Sequence, residues 1–236
     1  MNQLNSFLIF NLKSILKDRI TLVWTLIFPI LLIIINFSIY QNSVKTIEDK
    51  EILLVQFWSF MTIMVLLNGI AVEIANIREI GALKSYVMLA GSKYPFILAI
   101  LVSQILILSI SITVISIIFM ILFKLFSLKI LLYAFIYILL IIPISFVFLV
   151  VTSLPYKASS IATISTILSI ALFYIVNMQL FGLEWINPLH FLYKLGELFV
   201  HDFNHFSMMI PIIYVLYVVI GLYALIKLDI NSKIIR

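Results

Sequence analysis

The chain has 236 residues, 64% of them apolar and 11% charged, with a net charge of +5, no cysteine and a mean hydropathy of +1.26. That composition excludes a soluble globular domain and defines an integral membrane protein. The lack of cysteine also excludes disulfides, thiolate metal sites and cysteine nucleophiles.

Before the first long apolar block, Leu4, Phe7, Leu8, Leu12, Ile15 and Leu16 recur at helical spacing, interrupted by Phe10 and Asn11. The pattern predicts an amphipathic helix over 1–19, lying along the membrane surface. A spanning helix needs roughly 20 mostly apolar residues, and six blocks supply them: about 20–40, 54–76, 96–123, 130–154, 158–180 and 208–228. Their helical lengths exclude an outer-membrane barrel. The first block crosses a full bilayer and has no small-residue cleavage site after it, so it reads as a retained helix. Pro29 and Pro143 lie inside spans and predict kinks.

On a six-helix path, ten Lys and Arg residues fall on the side of the N-terminus and five on the other. The positive-inside rule then places both termini, and the loop between the second and third spans, in the cytoplasm. The positive net charge reflects this orientation, and no nucleic-acid partner is expected. Richness in Ile, Lys and Asn points to an AT-rich bacterial genome, hence a bacterial cytoplasmic membrane.

That loop, Ile77–Pro95, has a periodicity of its own. Ile80, Leu83, Val87 and Ala90 form one stripe with Tyr86 beside it, while Arg78, Glu79, Lys84 and Ser85 lie mostly away from it. Gly91 and Pro95 stop the helix. Such a helix rests its apolar face on the membrane or slots it into a groove on a soluble partner.

Within the spans, Ser109, Thr113 and Ser116 share one face of the third helix, and Ser159, Thr163, Thr166 and Ser169 share one face of the fifth. Small hydroxyl residues let membrane helices pack closely; the other reading is a lightly polar path lining for an amphipathic cargo. No ionisable residue falls near the middle of a span, and Glu73 sits at the cytoplasmic end of the second, which counts against an ion- or proton-coupled transporter. The outer stretch 177–206 holds His190, His201, His205, Glu184, Glu197 and Asp202, but no HExxH pattern, so no metal is expected. Nor is there a carboxylate pair or Ser/His dyad at a common depth, which disfavours an intramembrane enzyme. A non-transporting scaffold or receptor component is the other alternative.

The run NIREIGALKSYVMLAGSKYPFILA resembles the segment after the second transmembrane helix of the ABC-2 family of ABC-transporter permeases, which carries Arg-Glu-x-Gly-Thr-Leu-Lys. Arg78, Glu79, Gly81, Leu83 and Lys84 match, with Ala82 where the family more often has Thr and Gly91-Ser92 where it has Thr-Pro. A second run, INPLHFLYKLGELF, resembles the family's Asn-Pro-Leu-x-Tyr/Phe segment at Asn187, Pro188, Leu189 and Phe191.

The resemblance implies an all-α, six-helix permease domain over 1–236, whose helix at Arg78–Ala90 docks into a separate ABC ATP-binding subunit. On this reading Arg78, Glu79, Gly81, Leu83, Lys84 and Val87 couple the two proteins, with Glu79 and Lys84 as rim charges. Short re-entrant helices over Leu180–Leu198, with Glu184, Asn187 and Pro188, cap the path. Two permease halves, identical or similar, form a dimer in the lipid bilayer. No Gly-Lys pair occurs, so the chain has no phosphate loop; it is expected to bind no cofactor and not to be an enzyme, with ATP and Mg on the partner subunit. Short external loops and the Ile/Lys/Asn-rich composition resemble small permeases that export antimicrobial peptides and confer self-immunity. The expected cargo is therefore an antimicrobial or amphipathic peptide or a drug.

Overall fold

Where water is scarce, a backbone satisfies its polar groups most simply as a helix, and every regular element among the described residues is one. The computed structural model describes residues 3–17, 19–35, 37, 40–41, 45–177, 185, 187–200 and 206–228. Its helices are α1 (Gln3–Lys17), α2 (Arg19–Ile35), α3 (Ile47–Glu79), α4 (Ala82–Ala90), α5 (Tyr94–Phe123), α6 (Leu128–Ser153), α7 (Ala158–Asn177), α8 (Pro188–Val200) and α9 (Met209–Lys227). Among the described residues, five helices are long and apolar enough to cross a membrane: α3, α5, α6, α7 and α9.

Of the expected first span, α2 supplies 17 residues, and residues 37, 40 and 41 beyond it are helical too. Ring contacts on either side of α2 fall at opposite ends of α5. Phe7 of α1 stacks edge-on against Phe96 with ring centroids 5.3 Å apart, and Phe37, two residues after α2, meets Phe123 at 5.2 Å.

Helix α3 begins earlier than its apolar stretch predicts. Thr46 Oγ1 accepts a hydrogen bond from the Asp49 backbone N–H (3.0 Å), and the Thr46 N–H donates to Asp49 Oδ2 (3.1 Å). This reciprocal capping box nucleates the helix across the charged run Ile47–Glu51. From Leu53 onward α3 is the centre of the core, with Phe57, Trp58, Phe60 and Met61 all buried. The Trp58 indole donates to Ser116 Oγ on α5 (2.9 Å), and Thr62 Oγ1 lies 3.3 Å from the Tyr137 hydroxyl of α6. Three helices are thus tied by polar contacts inside an apolar core.

Two of the long helices leave α geometry. In α3, Leu67–Val72 forms a π-helical segment; Asn68 Nδ2 turns back to the Met64 carbonyl (2.9 Å). Gly69 lies against α5, where the Gln104 side-chain amide occupies the place a Cβ would take, its Oε1 2.1 Å away. In α6, Ser145–Ser153 continues as a 3-10 helix directly after Pro143, whose missing N–H breaks the α pattern. Ser145 and Thr152 hydroxyls donate to the carbonyls of Ile142 and Leu149, three residues back, at 2.7 and 2.6 Å. This segment packs on α9 at Gly221, where a Cβ would lie 2.7 Å from Phe146 Cβ and from the Val147 backbone nitrogen.

Helix α1 packs against the chain itself, and its polar interruption points inward. Asn11 is 1% exposed, the most buried residue of α1, while Leu16 is turned out. Neither polar atom of the Asn11 amide has a hydrogen-bond partner among the described residues. The rings of Phe7 and Phe10 close on Tyr86, with centroids 5.8 and 6.0 Å away.

Candidate functional site

A charged side chain next to a packed helix bundle finds its cheapest partners at the ends of other helices, where four carbonyls or four N–H groups lack intrahelical bonds. The polar run Ile77–Pro95 uses three such ends. It does not form one continuous helix from Arg78 to Ala90, as the periodicity predicts. Gly81 adopts φ +75°, its N–H bonded to the Arg78 carbonyl at 3.1 Å, so Arg78 and Glu79 finish α3 and the separate nine-residue α4 starts at Ala82.

Arg78 is only 4% exposed, and its guanidinium reaches the end of α6: Nη1 donates to the Thr152 carbonyl and Nη2 to that of Leu154 (3.4 Å). Glu79 Oε2 accepts the Ala158 backbone N–H at 2.8 Å, the first residue of α7. Lys93, at the far side of α4, places Nζ on the carbonyls of Ile226 (2.6 Å) and Leu228 (2.9 Å), at the end of α9. Cations meet two C-terminal ends and a carboxylate meets an N-terminal end, the signs the helix dipoles favour. Ala71 and Ala75 of α3 pack on Ala158 and Ile161, and these small side chains let α7 come near enough for the Glu79 contact.

Glu79, expected as a rim charge, is exposed, and one oxygen of its carboxylate caps α7. Leu83 is 0% exposed and belongs to the chain's own core, and Val87 is half-buried against that core. What α4 turns outward is Lys84, Ser85, Met88 and Leu89, with Ile80 beside them; Met88, Leu89 and Ile80 are 70%, 77% and 71% exposed. The sequence stripe named Ile80 as part of the apolar face and overlooked Met88 and Leu89. Once Gly81 interrupts the helix, Ile80 lies outside α4 and the stripe's phase no longer applies to it.

No family model, curated protein or solved structure matches this chain. The functional reading rests on its own residues.

The Asn187–Pro188 pair starts α8 in the manner of a helix cap. Asn187 Oδ1 accepts the Leu189 N–H (2.9 Å), its carbonyl accepts the Phe191 N–H (3.2 Å), and Pro188 occupies the first turn, where no N–H is needed. Asn187 Nδ2 also donates to the Leu172 carbonyl of α7 (3.2 Å). From there α8 runs towards the α3 start, where Gly196 sits against Val55 and Phe199 faces Tyr133 at 5.8 Å. Lys194 and Glu197 pair at 2.6 Å. Glu184, His201, Asp202 and His205 lie outside the described residues. No group of three His, Cys, Asp or Glu side chains able to hold a metal occurs among the described residues.

Beside the start of α8 opens an apolar groove of ≈ 310 Å³, bounded by Ile63 and Leu67 of α3, Ile144, Val147, Phe148 and Val151 of α6, Leu168 and Leu172 of α7, Pro188, Leu192 and Tyr217. Both irregular segments border it. The hydroxyl stripes do not. Ser116 is sealed in the core with Trp58, Ser169 is buried, and Ser159, Thr163 and Thr113 are exposed on the bundle exterior; Ser109 and Thr166 are intermediate. Of the seven hydroxyls read as packing residues or a lightly polar lining, Ser109, Thr113, Ser116, Thr163, Thr166 and Ser169 each donate to the carbonyl four residues back, at 2.7–3.1 Å, so their donors are spent within their own helices.

Proposed function

We propose that this chain is the membrane subunit of an ATP-driven exporter, an ABC-2-type permease of six spans with α2 as the first, set in a bacterial cytoplasmic membrane with both termini inside. It acts as a dimer with itself or a similar subunit. ATP and Mg are held by a separate ATP-binding subunit, and the cargo is an antimicrobial or amphipathic peptide or a drug. Helix α8 serves as the descending limb of a re-entrant cap, and the apolar groove beside it takes an apolar part of the cargo.

One observation carries this reading. Helix α4 hangs between two long helices, and Arg78, Glu79 and Lys93 at its flanks hold the ends of three more. A displacement of α4 by a soluble partner is thereby delivered to five helices at once, as a rigid-body coupling requires. The docking face is the outward one: Lys84, Ser85, Met88 and Leu89.

The test is co-purification of the tagged chain in mild detergent with identification of bound subunits and their ATPase activity. Met88→Asp with Leu89→Asp should abolish recovery of a nucleotide-binding protein while leaving the melting temperature unchanged, since both side chains are exposed. Leu83→Asp should instead unfold the chain. Recovery of the wild-type chain without any ATPase, under conditions that preserve other membrane complexes, would sink the proposal.

A further inference from the structure

Three lysines are gathered at the end of the bundle away from Arg78. The capping box fixes the first turn of α3 and with it Lys45, just before the helix, and Lys50, one turn inside. Lys50 Nζ reaches the carbonyl of Phe123, the last residue of α5, at 3.4 Å. The next residue, Lys124, ends α5 with φ +53°, the left-handed conformation for which glycine is the unstrained choice. A lysine stands there instead.

Together with Gln41 these lysines line an open cavity of ≈ 420 Å³ whose apolar wall is Phe37, Leu122 and Phe123. Among the described residues, no carboxylate lines it. Asp49, close by in sequence, is engaged with Thr46 in the cap. Three lysines around one open space favour an anion of more than unit charge, or several acceptor oxygens, among them. Phosphate has that chemistry, and lysine binds it as a point charge without demanding a fixed fork geometry.

We propose that this cavity binds a phosphate-bearing anion, and that its apolar wall selects the headgroup of an anionic phospholipid, whose first carbons lie on Phe37 and Leu122. The site is independent of the transport reading above. A lysine near an anionic lipid surface contributes about 1 kcal/mol, or fivefold in affinity.

The experiment is a titration of the purified full chain in neutral detergent with phosphatidylglycerol, phosphatidylcholine or inorganic phosphate, bound ligand being counted by native mass spectrometry. Phosphatidylglycerol should bind and phosphatidylcholine should not compete. Lys45→Gln and Lys124→Gly should each weaken phosphatidylglycerol binding about fivefold, and together about 25-fold. Lys124→Gly relieves the backbone, so its melting temperature should equal or exceed that of the wild type, separating lost binding from lost fold. Inorganic phosphate that binds as tightly as the lipid, with the same loss in both variants, keeps the phosphate site but makes its ligand a free phosphate. Equal binding of phosphatidylglycerol to wild type and double variant overturns the proposal.

Discussion

Arg78 holds two carbonyls at once, those of Thr152 and Leu154, from a position almost closed to solvent. A planar guanidinium can do this and a lysine ammonium cannot match its geometry. Hydrogen bonds from a charged donor contribute about 1.5–3 kcal/mol each, so Arg78→Met should lower the unfolding free energy in mixed micelles by about 3 kcal/mol, and Arg78→Lys by about half of that. Equal stability of the three proteins would refute the clamp. Asn11 presents the opposite case. A buried amide without a partner costs about 1–3 kcal/mol, and Asn11→Leu, close to it in volume, should raise the melting temperature measured in the same micelles. Both residues were visible in the sequence, but their environments were not. Charge and position identify Arg78 and Glu79 as a pair with work to do; they do not say whether the partner is another protein or the end of a helix some 75 residues later in the same chain. Asn11 looked like a flaw in an amphipathic stripe because the stripe was measured against a membrane surface, whereas α1 lies on α5.

At the level of whole helices, apolar run length predicted α5, α6 and α9 to within a few residues, since in these segments hydrophobicity and helix coincide. It failed at α3, where the boundary is set by the Thr46–Asp49 cap and not by hydropathy, and at the break before α4. That break was legible in principle: glycine two residues after a basic–acidic pair is a common C-terminal signal. The π segment of α3 and the 3-10 segment of α6 had weaker signals, Gly69 and Pro143, because each depends on what the neighbouring helix brings into contact. Two glycine substitutions separate the roles. Gly81→Ala meets no atom within 4 Å but must hold φ near +75°, which costs about 1 kcal/mol from backbone conformation alone. Gly221→Ala has an ordinary helical backbone but forces α9 away from Phe146 and Val147, at a cost of about 1–3 kcal/mol from overpacking. Crosslinking between cysteines placed at Phe146 and Leu222 should fall in the Gly221→Ala protein and stay at wild-type level in Gly81→Ala.

Across the whole molecule the helix ends alternate. The ends of α3, α6 and α9 meet the beginnings of α5 and α7 around Arg78, Glu79 and Lys93, while the start of α3 and the end of α5 meet at Lys50 and Phe123. With no native cysteine, single cysteines at Asn5, Ser85 and Leu128 give a direct check with a membrane-impermeant maleimide. Asn5→Cys and Ser85→Cys should label from one side and Leu128→Cys from the other; labelling of all three from one side would overturn the topology.

The 3-10 segment of α6 stores length. A 3-10 helix rises about 2.0 Å per residue and an α-helix 1.5 Å, so rewinding the nine residues Ser145–Ser153 into α geometry would draw the Thr152 and Leu154 carbonyls back by about 4.5 Å and turn them half a revolution about the helix axis. The guanidinium that grips them is fixed to α3. Were that grip released, rewinding would advance and rotate the side chains of Ser145–Ser153 along the wall of the apolar groove.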